Sequence, residues 1–281
     1  MIKHEAIEFP ERMDELTPAE WRHALYLMEL LRIRKGTTLT DVRRSLAWFV
    51  LTHRGMGRRQ TADRLLLADK LADTLTWLFA WDDVTDTVYI PIDTTRQLLP
   101  EIMGLRGPAD HGADLTFGQF RLAVAAMNDY TRNHRQEALT ALCAILYHRR
   151  TSRGELGRDL PFDADRMARY MHRAHRIPTS IQWGIYAWFA HFCSYLTEGR
   201  FVIDGTEVCF APLFRATSRP SDDPAEGYGL GLNGILFSVA ESGVFGDAAR
   251  VDRTPLLRVL LKLMGDLEQV EEMKRRMKSE K

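Results

Sequence analysis

The sequence has no long apolar stretch and no excess of charge of either sign. Charged residues interrupt its apolar segments well short of the length that a membrane-spanning helix needs. The first residues, MIKHEAIEFPERMDEL, contain no apolar core of the signal-peptide type. These absences predict a cytoplasmic protein with no membrane partner.

The 38 basic and 38 acidic residues cancel, so no overall field attracts nucleic acid. The most basic stretch, residues 148–158, has no interleaved aromatic residue to stack on bases. We interpret it as a solvated loop and predict no nucleic-acid partner. The three cysteines, Cys143, Cys193 and Cys209, form no C-x-x-C pair, which favours buried thiols in a reducing compartment.

The sequence contains no nucleophile elbow, Walker loop or dinucleotide-binding glycine motif. Ser242 has no base at a recognisable spacing, and we interpret it as the end of a helix. His172 and His175 lie beside arginines on an exposed helix face, and His191 and Cys193, two residues apart, point in different directions. The sequence therefore predicts no catalytic residue, metal ligand or cofactor, although an enzyme with an unrecognised site stays an alternative.

Helix signals recur along the chain. Thr17-Pro18 with Glu20, and Thr116 with Gln119, are capping boxes in which the hydroxyl and the third helical residue exchange hydrogen bonds with the backbone. Apolar residues at three- and four-residue steps follow each box. These patterns predict helices over about residues 17–35, 40–53, 61–73, 95–98, 117–133, 138–147, 163–176, 179–199 and 232–241, and from Thr254-Pro255 to near the C-terminus.

Two β-hairpins interrupt the helical pattern. In the first, apolar residues alternate over 75–81 and again over 88–92, on either side of an acidic turn. That turn lacks the glycine and the distal glutamate of a calcium loop, so we interpret it as a solvated tip. In the second, residues 201–210, an Asp-Gly pair occupies the two-residue turn.

The predicted fold class is mainly α, a multi-helix domain with two small β-hairpins. It is divided into an N-terminal region, 1–147, and a C-terminal region, 148–281, or forms one continuous domain. A Gly/Pro-rich loop at residues 104–115 leads into an apolar helical pair that should form the centre of the core. Its predicted core side chains are Phe117, Phe120, Val124, Leu142 and Leu146.

The last helix changes character at Gly265. Before it, LLRVLLKLM is apolar on a broad face; after it, the helix is densely charged and keeps only a narrow apolar seam. Such a seam belongs either to an amphipathic helix packed on its own domain or to a helix that faces a partner. The residues of this seam are Leu267, Val270, Met273 and Met277.

Several segments together resemble a family of proteins from prophage-like tail gene clusters of Gram-negative gut bacteria. The resembling segments are ELTPAEW, TTRQLLPEIMGLRGPAD followed by LTFGQFRLA, ALCAILYHRR, FCSYLTEGRFVIDG, and AESGVFG with the leucine-rich tail. The resemblance implies a tail-assembly factor, such as a chaperone that shields a tape-measure protein, and it implies no catalytic residues.

We therefore predict a non-enzymatic assembly factor that binds a tail protein, with Leu267, Val270, Met273 and Met277 as partner-binding residues. Self-association stays open. The alternatives are a structural component of the tail or virion and an enzyme.

Overall fold

The structure is a computed structural model that describes residues 7–149, 162–203, 205–217 and 232–279. Over these ranges the protein is mainly α-helical, as predicted. The helices of the described chain are α1 (Pro18–Ile33), α2 (Leu39–His53), α3 (Ala62–Ala72), α4 (Phe117–Asn133), α5 (Gln136–Leu146), α6 (Met167–Ala174), α7 (Thr179–Glu198), α8 (Ala211–Thr217), α9 (Leu232–Glu241), α10 (Ala248–Arg253) and α11 (Leu256–Ser279). None of these helices is long and apolar enough to cross a membrane.

Three two-stranded antiparallel sheets accompany the helices in the described chain. They pair β1 (Ala80–Asp82) with β2 (Thr87–Tyr89), β3 (Glu101–Ile102) with β4 (Leu105–Arg106), and β5 (Phe201–Ile203) with β6 (Thr206–Val208). The first and third of these sheets are the two predicted hairpins, which are confirmed. The sequence did not predict the second sheet.

The chain forms two compact units, and neither is continuous in sequence. One contains Met1–Pro100 and Ile177–Trp188, and the other contains Glu101–Arg176 and Phe189–Lys281. The boundary predicted after residue 147 therefore lies inside the second unit. Helix α7 contributes its first half to one unit and its second half to the other.

In the first unit, α2 packs against both α1 and α3. Helix α1 begins with the predicted capping box, in which Thr17 Oγ1 accepts from the Glu20 amide and Glu20 Oε2 accepts from the Thr17 amide. Trp21 and Leu25 of α1 and Leu46 of α2 are buried. Their burial confirms the apolar stripes predicted for this pair of helices.

Glu20 also forms a buried ion pair, which no sequence pattern had indicated. Its side chain is 0% exposed, and both carboxylate oxygens accept from Arg54, at 2.8 Å from Nε and 2.9 Å from Nη2. Burial alone would raise the pKa of Glu20, but the hydrogen bonds from Arg54 and Thr17 outweigh it, so this pKa lies below its ordinary value. Arg54 donates further to the carbonyls of Glu8 and Glu15, which ties the N-terminal segment to α2.

The second unit is centred on α4 and α5, as predicted. Thr116 and Gln119 form the capping box of α4, and Gln119 Nε2 donates to the Ile145 carbonyl of α5 at 3.2 Å. Almost every residue from 138 to 148 is buried. Of the predicted core residues, Phe117, Phe120, Leu142 and Leu146 are buried and Val124 is half-buried. Val124 lies a turn beyond Phe120, where α4 begins to leave the core.

Three local predictions were wrong. Residues 95–98 form no helix; Thr95 and Gln97 are buried there, and the Thr95 carbonyl accepts from Trp188 Nε1 at 3.2 Å. Residues 75–77 form a 3-10 helix instead of a strand. The start of the predicted 104–115 loop belongs to the β3–β4 hairpin, whose turn places Met103 and Gly104 at positive φ.

The start of α11 also differs from the prediction. The sequence suggested that Thr254 would cap it, but the Thr254 hydroxyl donates to the Arg250 carbonyl of α10, a short helix that the sequence did not predict. The backbone here pairs with the start of α4, because Phe117 N donates to the Thr254 carbonyl and Leu256 N to the Leu115 carbonyl. Most of the predicted basic loop, and residues 218–231 of the loop that composition predicts over 215–231, lie outside the described residues. Residues 215–217 of that loop instead form the end of α8.

Candidate functional site

The predicted partner-binding residues lie on the second half of α11, and their exposure increases along the helix. Leu256, Val259 and Leu260 are buried in the first half. Leu267 is half-buried, and Val270, Met273 and Met277 are 42%, 54% and 65% exposed. We call these last four residues the α11 seam.

The ion pairs that α11 forms within the described residues are all intrahelical. Lys262 pairs with Asp266, Glu271 with Arg275 at 3.9 Å and Glu272 with Arg276. Pairs at this spacing stabilise a helix by about 0.2–0.5 kcal/mol each and do not require a neighbouring element. They therefore support a helical second half that carries a narrow apolar stripe on an otherwise charged surface. This arrangement suits insertion into a hydrophobic groove or pairing with another helix.

A second candidate site is a cleft of about 430 Å³ in the second unit, formed by the start of α4, α6 and its preceding turn, and α10. Five arginines and three aspartates line it, together with apolar and aromatic side chains. We call it the arginine cleft. Its charged residues are Arg149, Arg166, Arg169, Arg173, Arg253, Asp163, Asp165 and Asp252.

Two of the three aspartates in the arginine cleft already have cationic partners. Asp163 pairs with Arg166 at 3.1 Å, and Asp252 pairs with Arg121, which lies outside the cleft, at 2.9 Å. The other four cleft arginines form no ion pair within the described residues. The cleft is therefore net positive, and guanidinium groups in such a concavity are suited to oxyanions.

An aromatic cluster forms one wall of the arginine cleft. The rings of His148, Phe162 and Tyr170 lie 5.5 to 6.0 Å apart, and His148 and Tyr170 are buried. Backbone hydrogen bonds in both directions between His148 and Arg106, of 3.1 and 3.3 Å, hold the histidine in place. The wall is thus a fixed part of the second unit.

The residues considered as metal ligands or nucleophiles lie in different environments. His172 and His175 are exposed. Burial raises the pKa of the Cys193 thiol to about 12, which disfavours the thiolate needed for metal binding or catalysis. Ser242 Oγ donates to the Val239 carbonyl at 2.7 Å and ends α9, as predicted. Among the described residues, no three His, Cys, Asp or Glu side chains are grouped closely enough to hold a metal ion.

The acidic turn between β1 and β2 is held by its own hydrogen bonds. Asp82 accepts from the Val84 amide at 3.0 Å and from the Thr85 hydroxyl at 2.6 Å, and these bonds, led by that from Thr85, lower the pKa of Asp82. This geometry matches the predicted solvated tip.

Sequence reasoning located the α11 seam but missed the arginine cleft. Arg166, Arg169 and Arg173 recur at helical spacing, which was the one available signal. Arg149 and Arg253 join them through the tertiary fold, and no spacing in the sequence relates them to α6.

No protein-family model, curated protein or solved structure matches this chain.

Proposed function

We propose that this protein is a non-enzymatic assembly factor that binds a helical segment of another protein through the α11 seam. The observation that carries the proposal is the exposure of Val270, Met273 and Met277 on a helix whose first half is buried. These apolar side chains, at successive turns of a charged helix, are exposed to water in the free protein. Their burial against a partner would contribute favourable hydrophobic free energy to binding.

The chemistry of the α11 seam supports a helical partner. It is one side chain wide, so it fits a facing helix or a narrow groove better than a flat surface. Methionine side chains adapt their shape to different neighbours, which suits an assembly factor that holds a partner temporarily. Gly265 lies between the two halves of α11 with no atom within 4 Å of an added Cβ, so no neighbouring side chain packs closely against it.

The resemblance to proteins of prophage-like tail gene clusters supports the finer part of the proposal. It favours a tail protein as the partner, such as a tape-measure protein. In this function the seam would cover an apolar stripe of the partner until the tail is assembled.

The test is binding between the purified full chain and the product of the tape-measure gene from the same gene cluster. Met273→Glu/Met277→Glu lowers the net charge by two in the seam, and Arg275→Gln/Ser279→Glu lowers it by two at exposed positions on the opposite face of the helix. We expect the first variant to lose binding at least tenfold and the second to bind as the wild type does. Both should remain folded, because exposed substitutions change stability by about 0.5 kcal/mol or less.

Equal binding by the two variants would show that the seam is not the contact surface. A fixed copy number of the chain in purified tails would instead favour a structural component, because an assembly chaperone leaves before the particle is complete.

A further inference from the structure

We propose that the arginine cleft binds a small molecule that carries a phosphate group. The cleft is separate from α11, and this proposal does not depend on the proposed function. Its first basis is the convergence of charge from different parts of the chain. Arg169 and Arg173 lie one turn apart on α6, Arg253 ends α10, and Arg149 follows α5, and all four line one cleft.

The second basis is that this convergence is unfavourable without a ligand. Like charges four residues apart on a helix destabilise it, as at Arg169 and Arg173. Among the described cleft carboxylates, Asp163 pairs with Arg166 and Asp252 pairs with Arg121, a cation outside the cleft. Asp165 is then the remaining described carboxylate in a lining that contains four arginines without an ion pair to a described residue. A bound dianion would replace this repulsion by charge-assisted hydrogen bonds.

The geometry favours phosphate over a single carboxylate. A carboxylate offers two oxygens in one plane, whereas a phosphate monoester offers three oxygens and nearly two negative charges. Arginines that line one cleft from three parts of the chain can each donate to a different oxygen of a tetrahedral acceptor.

The size of the cleft indicates that the ligand is larger than inorganic phosphate. A volume of about 430 Å³ lies within the usual range for small-molecule sites. The lining also includes apolar and aromatic side chains, those of Leu122, Ala249, Phe162 and Tyr170. This part of the cleft would contact the uncharged body of a phosphorylated small molecule.

The experiment is isothermal titration of the full chain with pyrophosphate, a compact probe for the charged part of the site, against sodium chloride of equal ionic strength. We expect saturable binding of one pyrophosphate per chain in the wild type. Arg169→Gln/Arg173→Gln should weaken this binding at least tenfold. Arg253→Gln, which changes α10 and leaves α6 intact, should also weaken it.

The matched control is Arg22→Gln/Arg176→Gln, which removes two positive charges from exposed positions that do not line the cleft. It should bind as the wild type does, as should Met273→Glu/Met277→Glu, which separates this site from the α11 seam. Circular dichroism checks that each variant is folded. If Arg169→Gln/Arg173→Gln does not fold, the pyrophosphate affinity of Arg253→Gln is the test of the proposal.

Three results would overturn the proposal. One is the absence of saturable binding by the wild type, and another is an equal loss of binding in the cleft variant and in its control. The third is binding of a single-stranded oligonucleotide that pyrophosphate does not displace, because the arginines would then form a polyanion surface instead of a small-molecule site.

Discussion

Arg54→Met should be among the most destabilising substitutions of a charged residue in this protein. It leaves Glu20 completely buried, without its guanidinium partner, and removes the hydrogen bonds to the carbonyls of Glu8 and Glu15. Removing one member of a buried ion pair costs about 3–5 kcal/mol. Because Arg54 is itself 19% exposed and Thr17 still donates to Glu20, we expect a loss near the lower limit, about 3 kcal/mol.

The measurement is urea unfolding followed by circular dichroism, with Arg44→Met as the matched control. Arg44 also pairs with a carboxylate, that of Asp69, but their side chains are 53% and 44% exposed. Pairs of this kind contribute less than about 1 kcal/mol. The difference between the two variants therefore reports the burial of the Arg54–Glu20 pair together with the two hydrogen bonds from Arg54 to backbone carbonyls.

The pH dependence gives a second, independent result. In the wild type the pKa of Glu20 lies below its ordinary value, so its contribution to stability is present above an unfolded-state pKa of about 4.3 and is lost as pH falls through the folded-state pKa. In Arg54→Met, burial without the cation should raise this pKa. The contribution would then be present at low pH and be lost as pH rises. The deficit of the variant should therefore be smaller at pH 5 than at pH 7.

The reasoning would be refuted if Arg54→Met and Arg44→Met lost the same free energy of unfolding. It would also be refuted if the deficit of Arg54→Met stayed constant between pH 7 and pH 5. The buried Glu20 would keep only Thr17 and, at 3.7 Å, His53 Nδ1 as partners, and without the guanidinium it should bind a proton more readily in this range.

Two further substitutions test the core of the second unit. Phe120→Ala should cost about 3–5 kcal/mol in urea unfolding, since this buried ring contacts Phe189 and Phe192 at centroid distances of 6.1 and 6.3 Å; a loss below about 1 kcal/mol would mean that α4 is misplaced. Gly107→Ala should reduce the free energy of unfolding by about 1–3 kcal/mol and so lower the melting temperature. The cause is overpacking, because the added Cβ would lie 2.5 Å from the buried Tyr147 ring. Gly265→Ala, where an added Cβ meets nothing within 4 Å, should raise stability by about 0.5–1 kcal/mol, and a loss there as large as at Gly107 would contradict the steric argument.

Local structure that is determined by residues close together in the sequence could be predicted for this protein. The capping boxes at Thr17 and Thr116 join residues three apart, so their hydrogen bonds form as soon as the helix does. The buried helix α5 follows from an apolar run that is unfavourable anywhere except in a core. The change in α11 at Gly265 was visible for a similar reason, because the width of an apolar stripe on a helix can be determined from residue spacing alone.

Segments with weak local preferences were decided by tertiary contacts. The threonines at 94 and 95 suggested a helix start, but the Thr95 carbonyl accepts from Trp188 Nε1 of a distant helix and the segment forms no helix. At the β3–β4 turn, Met103 adopts a φ of 51°, which its side chain does not favour and which pairing of the flanking strands imposes. Neither outcome follows from local propensity, since the deciding partner lies elsewhere in the chain or in the geometry of the hairpin.

The two candidate sites differ in the same way, because one depends on spacing within a helix and the other on tertiary packing. The α11 seam lies on one helix, whose periodicity the sequence contains in full. The arginine cleft depends on placing Arg149 and Arg253 beside Arg169 and Arg173. These residues are brought together by the packing of α5 on α6 and of α10 on α4, tertiary contacts that the spacing within a single helix does not specify. Helical spacing determines which side chains share a face of one helix, but only the packing of helices determines which faces meet, so the cleft was decided by the tertiary structure.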